Sequence, residues 1–164
     1  MSAVAVKSIN SDIYERALAI ATGALFVVAA IAVGKGHGDW GRVPPLIWLH
    51  LGTIGLALAL TPVLLLRRRG DHFHRVLGWV WASSMFATAV ITLFVKVINP
   101  GRFSLIHILS VATIIAVPRL VLQARRHRIV QHRRGVRTLI TLAMLVAGAL
   151  TFPFGRMLGI WLIR

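Results

Sequence analysis

The chain has 164 residues, 57% of them hydrophobic, with a mean hydropathy of +0.80, nineteen Lys and Arg, four Asp and Glu, and no cysteine. Apolar runs of about 20 residues recur too often to fold inward in a soluble domain of this size, so the composition is that of an integral membrane protein. The absence of cysteine excludes disulfides, thiolate catalysis and iron–sulfur clusters, and the sequence offers no acid pair or nucleophile–base pair for hydrolysis.

The hydropathy pattern predicts five transmembrane helices, near 13–33, 44–66, 76–97, 103–122 and 136–154, in one all-α transmembrane domain covering 1–164. Residues 1–34 form an extra N-terminal helix, read as retained rather than as a signal peptide, ahead of two hairpins at 44–97 and 103–154. The first span opens after Ser11-Asp12, a helix cap with Glu15 in the first turn, and its expected work is packing and anchoring. The connection Gly34 to Gly41 is glycine-rich and reads as a flexible loop, with Trp40 at interface depth and His37 solvated.

The second span starts at Pro44-Pro45, where missing amide donors are tolerated. His50 falls about one and a half turns inside and shares a face with Ile54, Ala57 and Thr61. Gly52, Gly55 and Ala59 line a different face, suited to close helix approach. The fourth span repeats the layout, with Ser104 as cap and His107, Val111, Ile114 and Pro118 as a stripe. His74 heads the third span and is followed by Gly78, Trp81 and Met85; His132 heads the fifth and is followed by Gly135, Val136, Leu139 and Ala143. A glycine so close to each histidine leaves backbone-level room, for a flat macrocycle or for a neighbouring helix. The segment after Pro153 either extends the fifth span past a kink or lies in the interface.

The cations sit at the span ends. Lys7, Arg16, Arg67, Arg68, Arg69, Arg75, Arg119, Arg125, Arg126, Arg128, Arg133, Arg134 and Arg137 fall on one side, thirteen against six on the other (Lys35, Arg42, Lys96, Arg102, Arg156 and Arg164). By the positive-inside rule the N-terminus is cytoplasmic and the C-terminus outside. Anionic lipid head groups are the expected counter-charge, and no aromatic–basic face suggests nucleic acid.

The second and third spans repeat in the fourth and fifth. His50, Pro62, Arg67 and His74 recur as His107, Pro118, Arg125 and His132 at offsets of 56 to 58 residues. One helical hairpin has been duplicated, keeping a histidine near each membrane face. Bis-histidine haem needs two imidazoles from facing helices at one depth, with apolar walls. His50 with His107 meet the depth condition at the outer face, and His74 with His132 at the inner. The sixteen residues from His50 to Leu66 separate the two levels by roughly 25 Å of helix. Arg42 and Arg102 outside, and Arg75 and Arg133 inside, suit haem propionates. Up to two b-type haems are expected, with no catalytic residue and at most the work of an electron carrier or oxidoreductase component.

Three rivals come from the same residues. Asp71, His72, His74, His127 and His132 lie on one side and could hold a divalent metal such as zinc. A small bundle with no extramembrane domain also suits a non-catalytic accessory or assembly subunit of a respiratory or photosynthetic complex. A transporter is a third reading, against which stands the lack of buried acids in the spans.

The His-Leu-x-x-x-Gly run at His50, His-Arg-x-x-Gly from His74 to Gly78, and Gln131-His132-Arg133-Arg134 carry a resemblance over Pro44 to Met157. This segment looks like a bacterial family of predicted membrane proteins without assigned function. The helix layout resembles the cytochrome b-561 type of transmembrane di-haem electron carriers. That resemblance implies one haem on His50 and His107, a second on His74 and His132, and exchange with quinone or other redox proteins in a bacterial inner (plasma) membrane. It usually comes with six spans, where this chain has five.

Overall fold

A computed structural model describes residues 11–95 and 105–164, and among the described residues every regular element is helical. We number them α1 (Ile13–Lys35), α2 (Pro45–Leu66), α3 (His72–Phe94), α4 (Leu105–Arg125), α5 (Ile129–Leu139), α6 (Ala147–Ala149) and α7 (Met157–Ile163). A 3-10 segment, Gly36–Arg42, follows α1, and a π-helical segment, Ile140–Val146, joins α5 to α6. Four helical stretches are long and apolar enough to cross a membrane: Ile13–Arg42, Pro45–Leu66, His72–Phe94 and Ile106–Arg125. The expected fifth span is a segmented helix from Ile129 to Ala149, and its first eleven residues carry a run of arginines.

Local chemistry sets the helix starts. Asp12 Oδ1 accepts the Glu15 amide at 3.0 Å and Glu15 accepts the Asp12 amide at 3.1 Å, the expected cap completed as a capping box. α3 begins four residues earlier than the hydropathy pattern predicts, because Asp71 accepts the His74 amide at 2.6 Å. That bond holds the Asp71 carboxyl below its ordinary range. Between α4 and α5 the chain turns through His127 at φ 54, with the Arg128 amide bonded to the Gln123 carbonyl at 2.9 Å. This is a left-handed helix end built without glycine.

Sequential helices pack on one another, α1 on α2, α2 on α3, α3 on α4 and α4 on α5, and α1 meets the π-helical segment to close the order into a ring. α3 is the most enclosed, with 44% of its apolar window buried against 22% for α1 and α2. The shared core includes Leu18, Leu58, Trp81, Met85, Val117 and Ile140. Buried hydroxyls satisfy themselves locally: Thr22, Thr61, Thr92, Ser110 and Thr113 each donate to a carbonyl one turn back.

Several expectations are revised. His50, Ile54, Ala57 and Thr61 do turn inward on α2, but the inward face of α4 is His107, Ser110, Thr113, Val117 and Leu120, while Val111 and Pro118 are exposed. Added side-chain carbons at Gly52 and Gly55 would meet nothing within 4 Å, so that small-residue face is open. The glycine-rich connection is not a loose loop. Trp40 Nε1 donates to the Val33 carbonyl at 3.0 Å, and its ring stands edge-on to Trp48 with centroids 5.2 Å apart.

After Ala149 the chain reverses through Phe154 and Gly155, at φ 65 and 67, so the C-terminal segment does not extend the fifth helix. α7 returns against α1, where Ala32, Leu158 and Trp161 form a second small core and Arg164 bridges Asp39 at 2.8 Å. The Trp161 indole packs directly on Gly36: a Cβ there would come within 2.1 Å of the ring. Gly36→Ala is therefore expected to unseat α7. Hydrogen exchange over Met157–Ile163 should rise severalfold in that variant, and unchanged protection would contradict the packing.

Candidate functional site

At the arginine-rich end of the bundle lies a cavity of about 540 Å³, walled by α3, α4 and α5 and floored by Thr61, Leu64 and Leu65 of α2. This volume falls within the about 300–1,000 Å³ usual for small-molecule and cofactor sites. His74 and His132 both line it, with Gly78, Trp81, Val117, Leu120 and Val136 as largely apolar walls and Arg69, Arg75, Arg125 and Arg133 among the polar ones.

The two imidazoles are held differently. His132 Nδ1 lies 2.9 Å from the Leu120 carbonyl oxygen. A carbonyl only accepts, so Nδ1 carries the proton and Nε2 keeps its lone pair, the tautomer a metal-ligating histidine needs. His74 is fixed in the first turn of α3 by the Asp71 cap, and its Nδ1 is buried with no hydrogen-bond partner. A buried unsatisfied ring nitrogen beside a cavity is a group that a bound ligand can complete. The matched glycines also divide. Gly78 lines the cavity with nothing within 4 Å of an added Cβ, whereas at Gly135 that carbon would strike Leu120 Cδ2 at 2.4 Å. The first leaves room; the second serves helix contact.

Glu15, read from the sequence only as part of a cap, is 1% exposed and lines the same cavity. Arg133 grips it with Nε at 2.6 Å and Nη2 at 2.8 Å, Arg69 bonds it from the connection after α2, and Arg137 approaches at 3.1 Å. Asp12 pairs with Arg133 at 3.1 Å and with Arg137. The first helix is thus more than an anchor: its inner carboxylate joins three separate stretches of chain. Arg133, assigned from the sequence to a propionate, is turned to Glu15 and Asp12, while Arg75 remains exposed at the cavity edge.

At the opposite end His107 is buried at 5% and His50 faces the interior. His50 Nδ1 is 3.2 Å from Thr92 Oγ1, whose own proton goes to the Thr88 carbonyl at 2.7 Å. Nδ1 of His50 is thereby held in a seam of hydroxyls. Thr88 also donates to Thr53 at 2.8 Å. The repeat Ser84, Thr88, Thr92 at helical spacing was the sequence signal for this polar seam. α2 and α4 each pack on α3, so His50 and His107 come from helices on either side of it rather than from adjacent ones. Arg42 is 86% exposed in its side chain and bridges Asp39 at 3.2 Å, and Arg102 lies outside the described residues.

Among the described residues no group of three or more His, Cys, Asp or Glu is placed to hold a metal ion. The zinc alternative at Asp71, His72, His74, His127 and His132 is therefore not formed: Asp71 is committed to its cap and to Arg67 at 3.3 Å, and His127 sits in the left-handed turn. No protein-family model, curated protein or solved structure matches the chain.

Proposed function

We propose that the chain is a b-type cytochrome-like electron carrier of a membrane, with one haem site at His74 and His132 and a second at His50 and His107. The observation that supports it most is a single cavity bordered by both His74 and His132, one ring held by the Leu120 carbonyl and the other with an unpartnered nitrogen. At His74 and His132, two histidines on a largely apolar wall with arginine at the edge are the donor set that supports haem at that end. Bound there, haem would supply one-electron oxidation and reduction at iron.

The chain's own residues do the rest. Leu120 fixes the His132 ring, Asp71 fixes the first turn that carries His74, and Gly78 keeps the wall bare beside it. All four Asp and Glu pair with Arg42, Arg67, Arg69, Arg133, Arg137 or Arg164, which leaves Arg75 and Arg125 at the cavity to meet an incoming carboxylate. The same surplus of arginine supports anionic lipids as annular partners. The five-span duplicated hairpin, with the N-terminus cytoplasmic in a bacterial plasma membrane and quinone or a redox protein as partner, belongs to this reading.

Protein purified from haem-supplied cells should show a b-type α band in the dithionite-reduced minus oxidised spectrum. His107→Ala should remove about half the haem if both sites fill, a binding loss well beyond the roughly 10–100-fold known for orienting groups alone. Unchanged haem content would refute the outer pairing. A colourless preparation would instead favour the accessory-subunit reading, which the open face at Gly52 and Gly55 supports.

A further inference from the structure

We propose that Glu15 occupies the anion seat of the cavity, and that the cavity takes an amphiphile with a carboxylate or phosphate head, which enters by displacing Glu15 from Arg69 and Arg133. The inference rests on the cavity being a ligand site and holds whether or not haem is its ligand.

The seat is already built for an oxyanion. Arg133 presents two parallel donors to Glu15, at 2.6 and 2.8 Å, and Arg69 adds another from a different connection. Paired guanidinium donors recognise carboxylate and phosphate alike. The rest of the wall is mostly apolar, with Leu64, Leu65, Val117, Leu120 and Val121 along it beside Arg75, Arg125 and the histidines, and suits a hydrocarbon body rather than a free ion.

Asp12 makes the exchange feasible. It pairs with Arg133 at 3.1 Å and with Arg137, so these arginines keep a counter-charge when Glu15 leaves. One anion replaces another, and burial of the ligand's apolar body supplies the driving force. The exchange has a structural consequence. Glu15 also accepts the Asp12 amide at 3.1 Å in the capping box, so its departure loosens the first turn of α1.

Trp79 and Trp81 line the cavity and serve as reporters. The protein in neutral detergent is titrated with 9,10-dibromostearate and, separately, with its methyl ester. The acid should quench tryptophan fluorescence saturably, the ester only to the level of dissolved quencher, and Trp79→Phe should reduce the saturable part. Amide exchange over residues 13–18 should rise when the acid is present. Glu15→Gln weakens the resident competitor and should tighten acid binding about tenfold, since apparent affinity scales with the open fraction. Brominated phosphatidylglycerol and phosphatidylcholine separate a phosphate head from a carboxylate: saturable quenching by the first lipid alone, with none by the acid, assigns the seat to phosphate. Equal quenching by acid and ester with no response to phosphatidylglycerol, or unchanged exchange at 13–18 under a saturating anion, would overturn the proposal. Those two wild-type measurements decide it even if Glu15→Gln does not fold. Anionic ligand binding by a chain that never takes haem would sink the electron-carrier reading and leave this one standing.

Discussion

His132→Ala should strip haem from the arginine-rich end while leaving the bundle folded. His132 is the one of the pair whose ring is locked, with Nδ1 on the Leu120 carbonyl. Loss of a group that only orients a metal ligand costs about 10–100-fold in metal affinity, and loss of the ligand itself costs at least that much. The fold has other support there. Gly135 keeps α5 against Leu120, and Arg133 and Arg137 keep it tied to α1. His72→Ala is the matched control, because His72 is exposed in the same turn as His74 and does not line the cavity. Haem content and α-band amplitude should fall in His132→Ala and stay at the parent level in His72→Ala. Equal spectra for the two variants would exclude His132 as a ligand.

Glu15→Ala should be the most destabilising single substitution in the first helix. It leaves Arg69, Arg133 and Arg137, whose side chains are only 18–26% exposed, without the carboxylate they share, while Asp12 stays beside Arg133 and Arg137. Removing one partner of a buried ion pair typically costs about 3–5 kcal/mol where the other charge stays buried and uncompensated, and here Asp12 and the partial exposure of the arginines reduce that cost. The capping box is lost as well. A drop of many degrees in the detergent unfolding midpoint is expected, with Asp12→Ala milder because that side chain is 44% exposed. A midpoint within a degree or two of the parent would mean that the three arginines find solvent without Glu15.

The membrane character, the start of α1 and the inward face of α2 were legible because each depends on local residues. Asp12 caps the turn that follows it, and His50, Ile54, Ala57 and Thr61 recur at helical spacing. The face of α4 was misread for a physical reason. In a soluble helix Val111 and Ile114 would mark the buried stripe, but lipid is as apolar as they are, so the hydroxyls of Ser110 and Thr113 turn inward instead. Glu15 was missed because its partners Arg69, Arg133 and Arg137 stand 54, 118 and 122 residues away. The early start of α5 was hidden because His127, not glycine, takes the left-handed position that ends α4. His74 and His132, matched in the sequence, border one cavity at the arginine-rich end. The matched histidines gave no hint that α3 would stand between the helices of His50 and His107.

The most direct test of the central claim is low-temperature electron paramagnetic resonance of the oxidised, haem-supplied protein beside its His74→Ala variant. Ligation by two imidazoles predicts a low-spin ferric signal in the parent that loses the component of the arginine-rich end when His74 is replaced. A parent with no low-spin ferric signal, or a signal identical in the two proteins, would contradict it.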